Sequence, residues 1–345
     1  MITIKMIKIK EIREMIEKSQ NPLVFFDDDA DGLCSFLLLE KKYKKIKGII
    51  LKNSPVLDDS YIIKVRQYSP DLIIVLDKPM ISEDFIDKVH VPLIWIDHHS
   101  PENFKGGVNY FNPRLRDDKD NRPVTYWCYK ITGENLWIAM IGIIGDWHLS
   151  LYNVFKKKFK DLVPSKPIKN PPEVMFDTEF GKLIKILSFI IKGRTNEVYI
   201  YIDYLLKIKD PREILSKKTE AGKKIYGRYE EINKIYEVLL KKAINENDHS
   251  KFLVFTYSHK KYSFTGEMSN ELLYRYPDKV ILIAREQGDD FKGSIRSADF
   301  ALPLILSKAL EGLDGQGGGH EHACGFHIKK QDFIKFKNRI EKQIK

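Results

Sequence analysis

The sequence predicts an α/β fold in two lobes: an N-terminal, largely parallel sheet flanked by helices, a helical connector, and a smaller C-terminal α/β domain. Three observations predict it. Short apolar runs at 23–26, 72–76 and 93–96 each end abruptly in charge, as buried strands of a parallel sheet do. Stretches with helical spacing lie between them, so strand and helix alternate and right-handed crossovers follow. At 345 residues the chain exceeds one ordinary core, so more than one domain is expected.

The elements follow in order. Ile9, Ile12 and Ile16 recur at helical spacing, giving an opening helix over about 8–18. Asn21-Pro22 ends it, and strand 23–26 begins. Asp27-Asp28-Asp29-Ala30-Asp31-Gly32 comes next. It reads as an acidic loop in which Gly32 lets the backbone turn closely under a ligand. A helix over 33–42 turns Phe36, Leu37 and Leu38 inward. Strand 46–51, a helix near 60–67 and strand 72–76 lead to Asp77-Lys78-Pro79. Ser82 with Asp84 caps a helix over 83–89. Strand 93–96 then delivers Asp97-His98-His99.

Residues 112–123 form a charged loop, and 124–131 and 134–144 read as buried helices, the second delivering Asp146. The stretch 151–177 mixes Lys runs with Pro164, Pro167, Pro171 and Pro172 and reads as an exposed excursion. From 180 to 245 the pattern is helical and highly charged, a connector holding the lobes apart. Domains are therefore expected at 1–178, 179–248 and 249–345. The last lobe carries strands at 252–257, 280–284, 291–295 and 324–328, helices at 267–274 and 302–310, and a basic closing helix at 330–343. Its glycine-rich run, 312–319, precedes His320.

Composition narrows the class. Apolar residues are 43% and charged residues 31%, which is globular rather than disordered. No apolar run approaches the ~18 residues of a membrane span. The N-terminus lacks a signal-peptide pattern, and three widely spaced cysteines, Cys34, Cys128 and Cys324, suit a reducing cytoplasm. The net charge of +10 fits a phosphate-rich partner and, equally, a Lys-rich solvated surface.

The chemistry sits at the apolar ends. Ligands of open α/β sheets bind beyond the carboxyl ends of the strands. Several carboxylates gathered there raise one another's pKa unless a cation joins them. Asp and His donors suit manganese, zinc, iron or magnesium, and the lack of thiols argues against a soft-metal cluster. Taken singly, Asp29-Ala30-Asp31-Gly32 is also a solvated acidic turn, and Asp77 or Asp146 a helix cap. Asp97-His98-His99 is more specific, because adjacent residues in extended chain point to opposite sides and two imidazoles there have different tasks.

Together these motifs resemble the DHH phosphoesterase superfamily. Asp29-Ala30-Asp31-Gly32, Asp77, Asp97-His98-His99 and Gly145-Asp146 stand in the family's order. Ser294-Ile295-Arg296-Ser297 and Gly318-Gly319-His320 resemble its usual partner domain, DHHA1. Within the superfamily the chain resembles archaeal RecJ-like exonucleases and oligonucleotide-degrading members. The resemblance implies a site for two Mn²⁺ ions between the lobes, with Mg²⁺ the alternative. Asp29 would bind one ion and Asp31 the other; Asp77 would bridge; His98 and Asp146 would complete the second site. His99 would contact the scissile phosphate, and Asp97 would orient its neighbours. Arg296, Ser297, Gly318, Gly319 and His320 would hold a substrate phosphate.

One departure stands out. Where the family's first motif carries a histidine, two or four residues before the first aspartate, this chain has Asp27 and Phe25. Asp27 is then an oxygen ligand in its place, and Lys78 grips phosphate or offsets negative charge. The expected function is a metal-dependent exonuclease on single-stranded DNA, RNA or short oligonucleotides, with replication or repair proteins as partners. The alternatives are a small-substrate phosphodiesterase (oligoribonucleotide, cyclic dinucleotide or phosphoadenosine phosphate) and a catalytically weakened replication or repair scaffold.

Overall fold

The computed structural model describes residues 6–52, 55–101, 104 and 106–344. The chain divides into two compact units, Met1–Arg228 and Tyr229–Lys345.

The first unit is built on a five-stranded sheet. Helix α1 (Ile9–Lys18) leads into β1 (Pro22–Asp27), then α2 (Ala30–Tyr43), β2 (Lys47–Leu51), the short β3 (Val56–Leu57) and α3 (Ile62–Tyr68). Strand β4 (Leu72–Leu76), the short β5 (Met80–Ile81), α4 (Glu83–Lys88), β6 (Leu93–Ile96) and β7 (Val108–Phe111) follow. The sheet order is β2-β1-β4-β6-β7, and every pairing in it is parallel. Strands β3 and β5 pair separately, also in parallel.

Burial on both faces explains the unbroken apolar runs. Phe25, Trp95 and Tyr110 lie in one core cluster with Ile62 of α3 and Phe85 of α4. On the opposite face Phe26 stacks on Phe36 of α2 at 4.6 Å between centroids. From β1 the chain pairs with β2 on one side and β4 on the other. The topological switch point therefore falls between β1 and β4, where open sheets bind ligands.

The remaining helices are α5 (Val124–Thr132), α6 (Leu136–Gly145), α7 (Tyr152–Lys158), α8 (Pro171–Asp177), α9 (Glu179–Ile190), α10 (Thr195–Lys207), α11 (Arg212–Leu215) and α12 (Glu220–Asn245). Helix α2 packs against α5 and α6, and α9 packs against both α2 and α6.

Several expectations need correction. Helix α2 starts at Ala30 rather than 33, because Asp29 caps it, accepting from Gly32 N at 2.9 Å. Gly32 has a different reason from the expected one. A Cβ there would lie 2.5 Å from the Asp27 carbonyl oxygen, so the glycine lets α2 press on the end of β1. The stretch 151–177 is not merely an exposed excursion. It folds α7 and α8, with Tyr152, Phe155, Phe159 and Val174 buried, and Phe155 packs on Phe180 at 4.3 Å. Within the helical, charged region from 180, Phe180, Leu183, Ile186 and Leu187 of α9 are buried in the first unit.

In the second unit, β8 (Phe252–Ser258), α13 (Thr265–Arg275), β9 (Val280–Gln287), β10 (Asp290–Arg296), α14 (Leu302–Leu310), β11 (Gly315–His320), β12 (Ala323–Lys329) and α15 (Phe333–Gln343) form a mixed sheet with helices. Its order is β11-β12-β10-β9-β8. Only β8 and β9 pair in parallel; the other pairings are antiparallel. Leu302 and Leu306 of α14 and Phe336 and Ile340 of α15 share the core of this sheet. The glycine-rich run forms the edge strand β11. A Cβ at Gly317 would meet Leu306 Cδ2 at 2.7 Å, so glycine there admits α14. No helix among the described residues is long and apolar enough to cross a membrane.

Candidate metal centre

The carboxyl ends of β1, β4 and β6 and the end of α6 converge. His98, the residue after Asp97 at the end of β6, is the hub. Its Nε2 lies 3.4 Å from Asp77 Oδ1, 3.6 Å from Asp146 Oδ2 and 4.0 Å from Asp31 Oδ2. Its Nδ1 is 3.1 Å from the carbonyl oxygen of Asn121. A carbonyl only accepts, so Nδ1 carries the proton and donates. Without metal Nε2 also carries a proton toward the three carboxylates; once that proton is lost, the Nδ1 bond fixes the tautomer whose Nε2 lone pair faces them, the arrangement metal-binding imidazoles adopt.

Asp31 is held as firmly. It is 1% exposed, and its carboxylate accepts from Val124 N at 2.7 Å, Thr125 N at 2.6 Å and the Thr125 hydroxyl. It thus caps α5, an element about ninety residues away in sequence. Three donors leave one of roughly four acceptor positions open toward His98. Asp77 takes a left-handed backbone, φ +57, uncommon for a non-glycine residue and best tolerated by Asp and Asn.

His99 is fixed from behind. Asp97 is fully buried; its Oδ1 lies 2.7 Å from His99 Nδ1 and its Oδ2 accepts from His99 N at 3.1 Å. Asn112 Nδ2 donates to Asp97 Oδ2 at 3.3 Å and to the His99 carbonyl at 3.0 Å. Neither Asn112 nor Asn121 was singled out from the sequence. Asn121 acts through its backbone, which leaves no residue-type signal.

Charge crowding sets the titration. Burial, then repulsion from Asp77, lifts Asp29 and Asp31 well above the usual carboxylate range. Burial pushes Asp146 up to about 6 and Asp27 up to about 7, against the pull of His98 and Lys78 respectively. Asp77 is the exception: burial is outweighed by its hydrogen bond to His98, and it stays below the ordinary value. Burial likewise opposes the charge on His98 and His99, yet Asp77 and Asp97 lift them above the ordinary imidazole value.

The sign for stability follows. Between about pH 4 and 7 the folded state holds more protons on Asp27 and Asp146 than the unfolded chain does, so rising pH destabilises it. A raised His98 works the same way, its contribution being lost above its unfolded value. The lowered Asp77 acts only below that window. Urea unfolding in chelator at pH 5, 6, 7 and 8 is therefore expected to show a falling midpoint; a flat or rising profile contradicts the crowding.

In the second unit, the register places Arg296 opposite Ala323 and Ala323 opposite His320, so Arg296 and His320 flank β12 in one row. Arg296 Nε donates to Asn270 Oδ1 at 2.8 Å and Nη1 to the Ile295 carbonyl at 2.9 Å. Burial brings its guanidinium down to about 10. The Ser297 hydroxyl accepts from the backbone of Asp299 and Phe300, both at 3.2 Å, and so shapes the turn. Gly318 has open space where a Cβ would be, whereas Gly319 has φ +148 and a Cβ there would strike the Ala323 carbonyl at 2.4 Å.

A carboxylate and imidazole edge on a doubly wound parallel sheet, joined in sequence to a small mixed-sheet domain, is the pattern of the DHH phosphoesterases. The chain is a DHH–DHHA1 protein: residues 22–148 match the DHH family, N-terminal domain, and residues 250–345 match the DHHA1 domain. No curated protein matches the chain in sequence. Among solved structures it is similar to RecJ of Thermus thermophilus in complex with Mn²⁺ (18% identity, TM-score 0.70), covering 99% of this chain and 55% of that one. The chain thus spans about half the length of that RecJ. It is also similar to an exonuclease RecJ bound to manganese (17%, TM-score 0.66, 100% and 96% covered). A third is the pGpG-specific phosphodiesterase PggH of Vibrio cholerae (15%, TM-score 0.51, 94% and 98% covered). At these identities the likeness establishes the fold.

Proposed function

We propose that this chain is a divalent-metal-dependent phosphodiesterase that hydrolyses single-stranded nucleic acid from an end. The observation that carries this is the His98 imidazole, its Nδ1 proton held by Asn121 and its Nε2 aimed at Asp31, Asp77 and Asp146. The donor set suits Mn²⁺, with Mg²⁺ the alternative, and the solved RecJ structures hold manganese or magnesium.

Bound there, a divalent ion lowers the pKa of water and offsets charge on a phosphoryl oxygen. The side chains do the rest. Asp31, Asp77, His98 and Asp146 hold the ion, and the α5 amides fix Asp31. Asp97 keeps the His99 ring oriented and favours its protonated form, so its outer N–H donates to a phosphate oxygen as charge grows in the transition state. Asn112 keeps Asp97 in place. In the DHHA1 domain, Arg296, His320 and the glycine backbone at Gly318 and Gly319 hold a substrate phosphate, with Ser297 supporting the turn beside them.

A strand is favoured over a dinucleotide by a groove of about 610 Å³ whose lining includes Lys156, Lys157 and Lys160 together with the apolar Val163 and Pro164. Asp161, the residue after Lys160, is paired with Arg212 Nη2 at 2.6 Å rather than with the lysines of the groove. Lys156 ties its wall, donating to the carbonyls of Ser165 and Lys166, which leaves the exposed Lys157 and Lys160 for phosphates. Reversing both charges (K157E/K160E) is expected to weaken single-strand binding about tenfold at low salt. The slope of log affinity against log salt should shrink by about 1.4, at ~0.7 per phosphate. Anisotropy of a labelled oligonucleotide across a salt series measures both.

The deciding experiment is a cleavage time course on end-labelled single-stranded DNA and RNA and on a dinucleotide, with Mn²⁺, Mg²⁺ or chelator. Progressive shortening supports the exonuclease. Cleavage of the dinucleotide alone favours the small-substrate reading. No cleavage from folded protein favours a scaffold role in replication or repair.

A further inference from the structure

We infer that the Lys78 ammonium is a built-in cation that takes the place of one metal ion, so that the centre binds a single divalent ion. The inference rests on the metal reading above and departs from the two-ion site implied by family resemblance.

The acidic groups divide into two halves. Two sets of potential ligand atoms lie within 4.8 Å of one another among the described residues: Asp77, His98 and His99, and Asp31, His98 and Asp146. Both run through His98, so both describe one locality. Asp27 and Asp29 belong to neither. Beside Asp27 stands Lys78, whose side chain is 1% exposed and whose Nζ lies 2.6 Å from Asp27 Oδ1, while Asp29 shares a hydrogen bond with Asp77.

That ion pair is built in. The Lys78 carbonyl accepts from the Trp95 indole at 2.8 Å, and Trp95 is itself buried in the core beneath the sheet, so the backbone carrying the ammonium is clamped. Asp27 Oδ1 also accepts from Asp28 N at 2.7 Å, and Asp29 Oδ1 from Gly32 N. One oxygen of each acid that a first ion would use, Asp27 Oδ1 and Asp29 Oδ1, is thus engaged with groups of this chain.

The physics gives the consequence. A buried ammonium needs an anion close by, and the Asp27 carboxylate meets that need for Lys78. A divalent ion at Asp27 and Asp29 would have to displace the lysine from Asp27 Oδ1 and sit beside an ammonium that is only 1% exposed, so that solvent screens their repulsion poorly. Asp27, standing where the related motif carries a neutral imidazole, is the acid that a lysine can pair with. Asp27 and Lys78 therefore act as a unit: a negative ligand position and the positive charge that fills it.

The test counts ions. Metal-stripped full chain is dialysed against graded Mn²⁺; bound manganese is measured by elemental analysis and its environment by electron paramagnetic resonance. Wild type is expected to hold one ion per chain with the six-line spectrum of isolated Mn²⁺. Lys78→Met is expected to hold two, with the spectrum of a coupled pair, and Lys78→Arg, which keeps the charge, to hold one. Thermal melts in chelator show which variants are folded; should Lys78→Met not fold, the wild-type and Lys78→Arg counts decide. Two ions of similar affinity in wild type overturn the inference while sparing the metal reading. A folded Lys78→Met that still binds one ion also overturns it. No bound ion in wild type overturns both.

Discussion

Asp77→Asn is expected to cut metal-dependent cleavage by about 10³-fold and to abolish stabilisation by Mn²⁺, while leaving the metal-free protein at least as stable as wild type. Asn is the substitution to use, because it tolerates the left-handed backbone at φ +57 that would strain Ala or a larger residue. It keeps the shape and removes the charge. In the absence of metal that charge works against the fold: repulsion from Asp77 helps raise Asp27, Asp29, Asp31 and Asp146. Neutralising it relieves four neighbouring acids, of which Asp31 is buried, at the expense of one ionic partner for His98, whose Nε2 can still donate to the Asn oxygen. With metal the balance reverses. Wild type gains about 4 kcal/mol at an ion concentration about a thousand times Kd, and the variant, lacking the negative donor nearest His98, gains almost none. Parallel melts in chelator and in Mn²⁺ read both halves. A variant that keeps the metal-induced shift removes Asp77 from the ligand set.

The strands that carry this site were the most legible part of the sequence, for a physical reason. Strands buried on both faces need unbroken apolar runs, and β1, β4 and β6 have them, ending where the sheet meets its ligand edge. Edge strands have no such need. Strand β7 includes a polar Asn109 and is only partly buried, and β11 has glycine at four of its six positions, with Gly315 and Gly317 admitting the close approach of α14. Helix α9 was hidden by averaging: its apolar stretch lies inside a long charged region, and the length of that region suggested a connector.

For the site, residue type and order sufficed to single out the acids and imidazoles, since few structural roles ask for Asp-His-His at a strand end. What each one touches was not legible. The pairing of Asp27 with Lys78 depends on β1 and β4 being neighbours, and the seating of His98 on Asn121 depends on a loop carbonyl. In the second unit, the sheet register sets Arg296 and His320 in one row, while Ser297 proves to serve its own turn.

The sharpest case is Asp31, where one carboxylate has two jobs that a substitution series separates. Asp31→Ala is expected to lower stability by about 2–4 kcal/mol even in chelator, because it strips the Val124 and Thr125 amides of their buried acceptor, while the Thr125 hydroxyl keeps the Asp31 carbonyl, and unsatisfied buried donors cost about 1–3 kcal/mol each with partial relief from reduced acidic crowding. Asp146→Ala is expected to abolish cleavage just as fully with little change in the chelated melt, since Asp146 follows the end of α6 and its side chain is about a third exposed, at 31%. Thr125→Val completes the comparison. It removes one hydroxyl from Asp31 while leaving both amides, so it should cost about 1 kcal/mol and weaken Mn²⁺ binding modestly by loosening the ligand, as changes behind a metal ligand commonly do. If Asp31→Ala melts like Asp146→Ala in chelator, the cap on α5 contributes nothing and Asp31 is a ligand alone. If instead the three variants fall in the expected order, the same carboxylate both starts α5 and holds the ion, so the helix that covers one face of the sheet and the chemistry at its edge share a single residue.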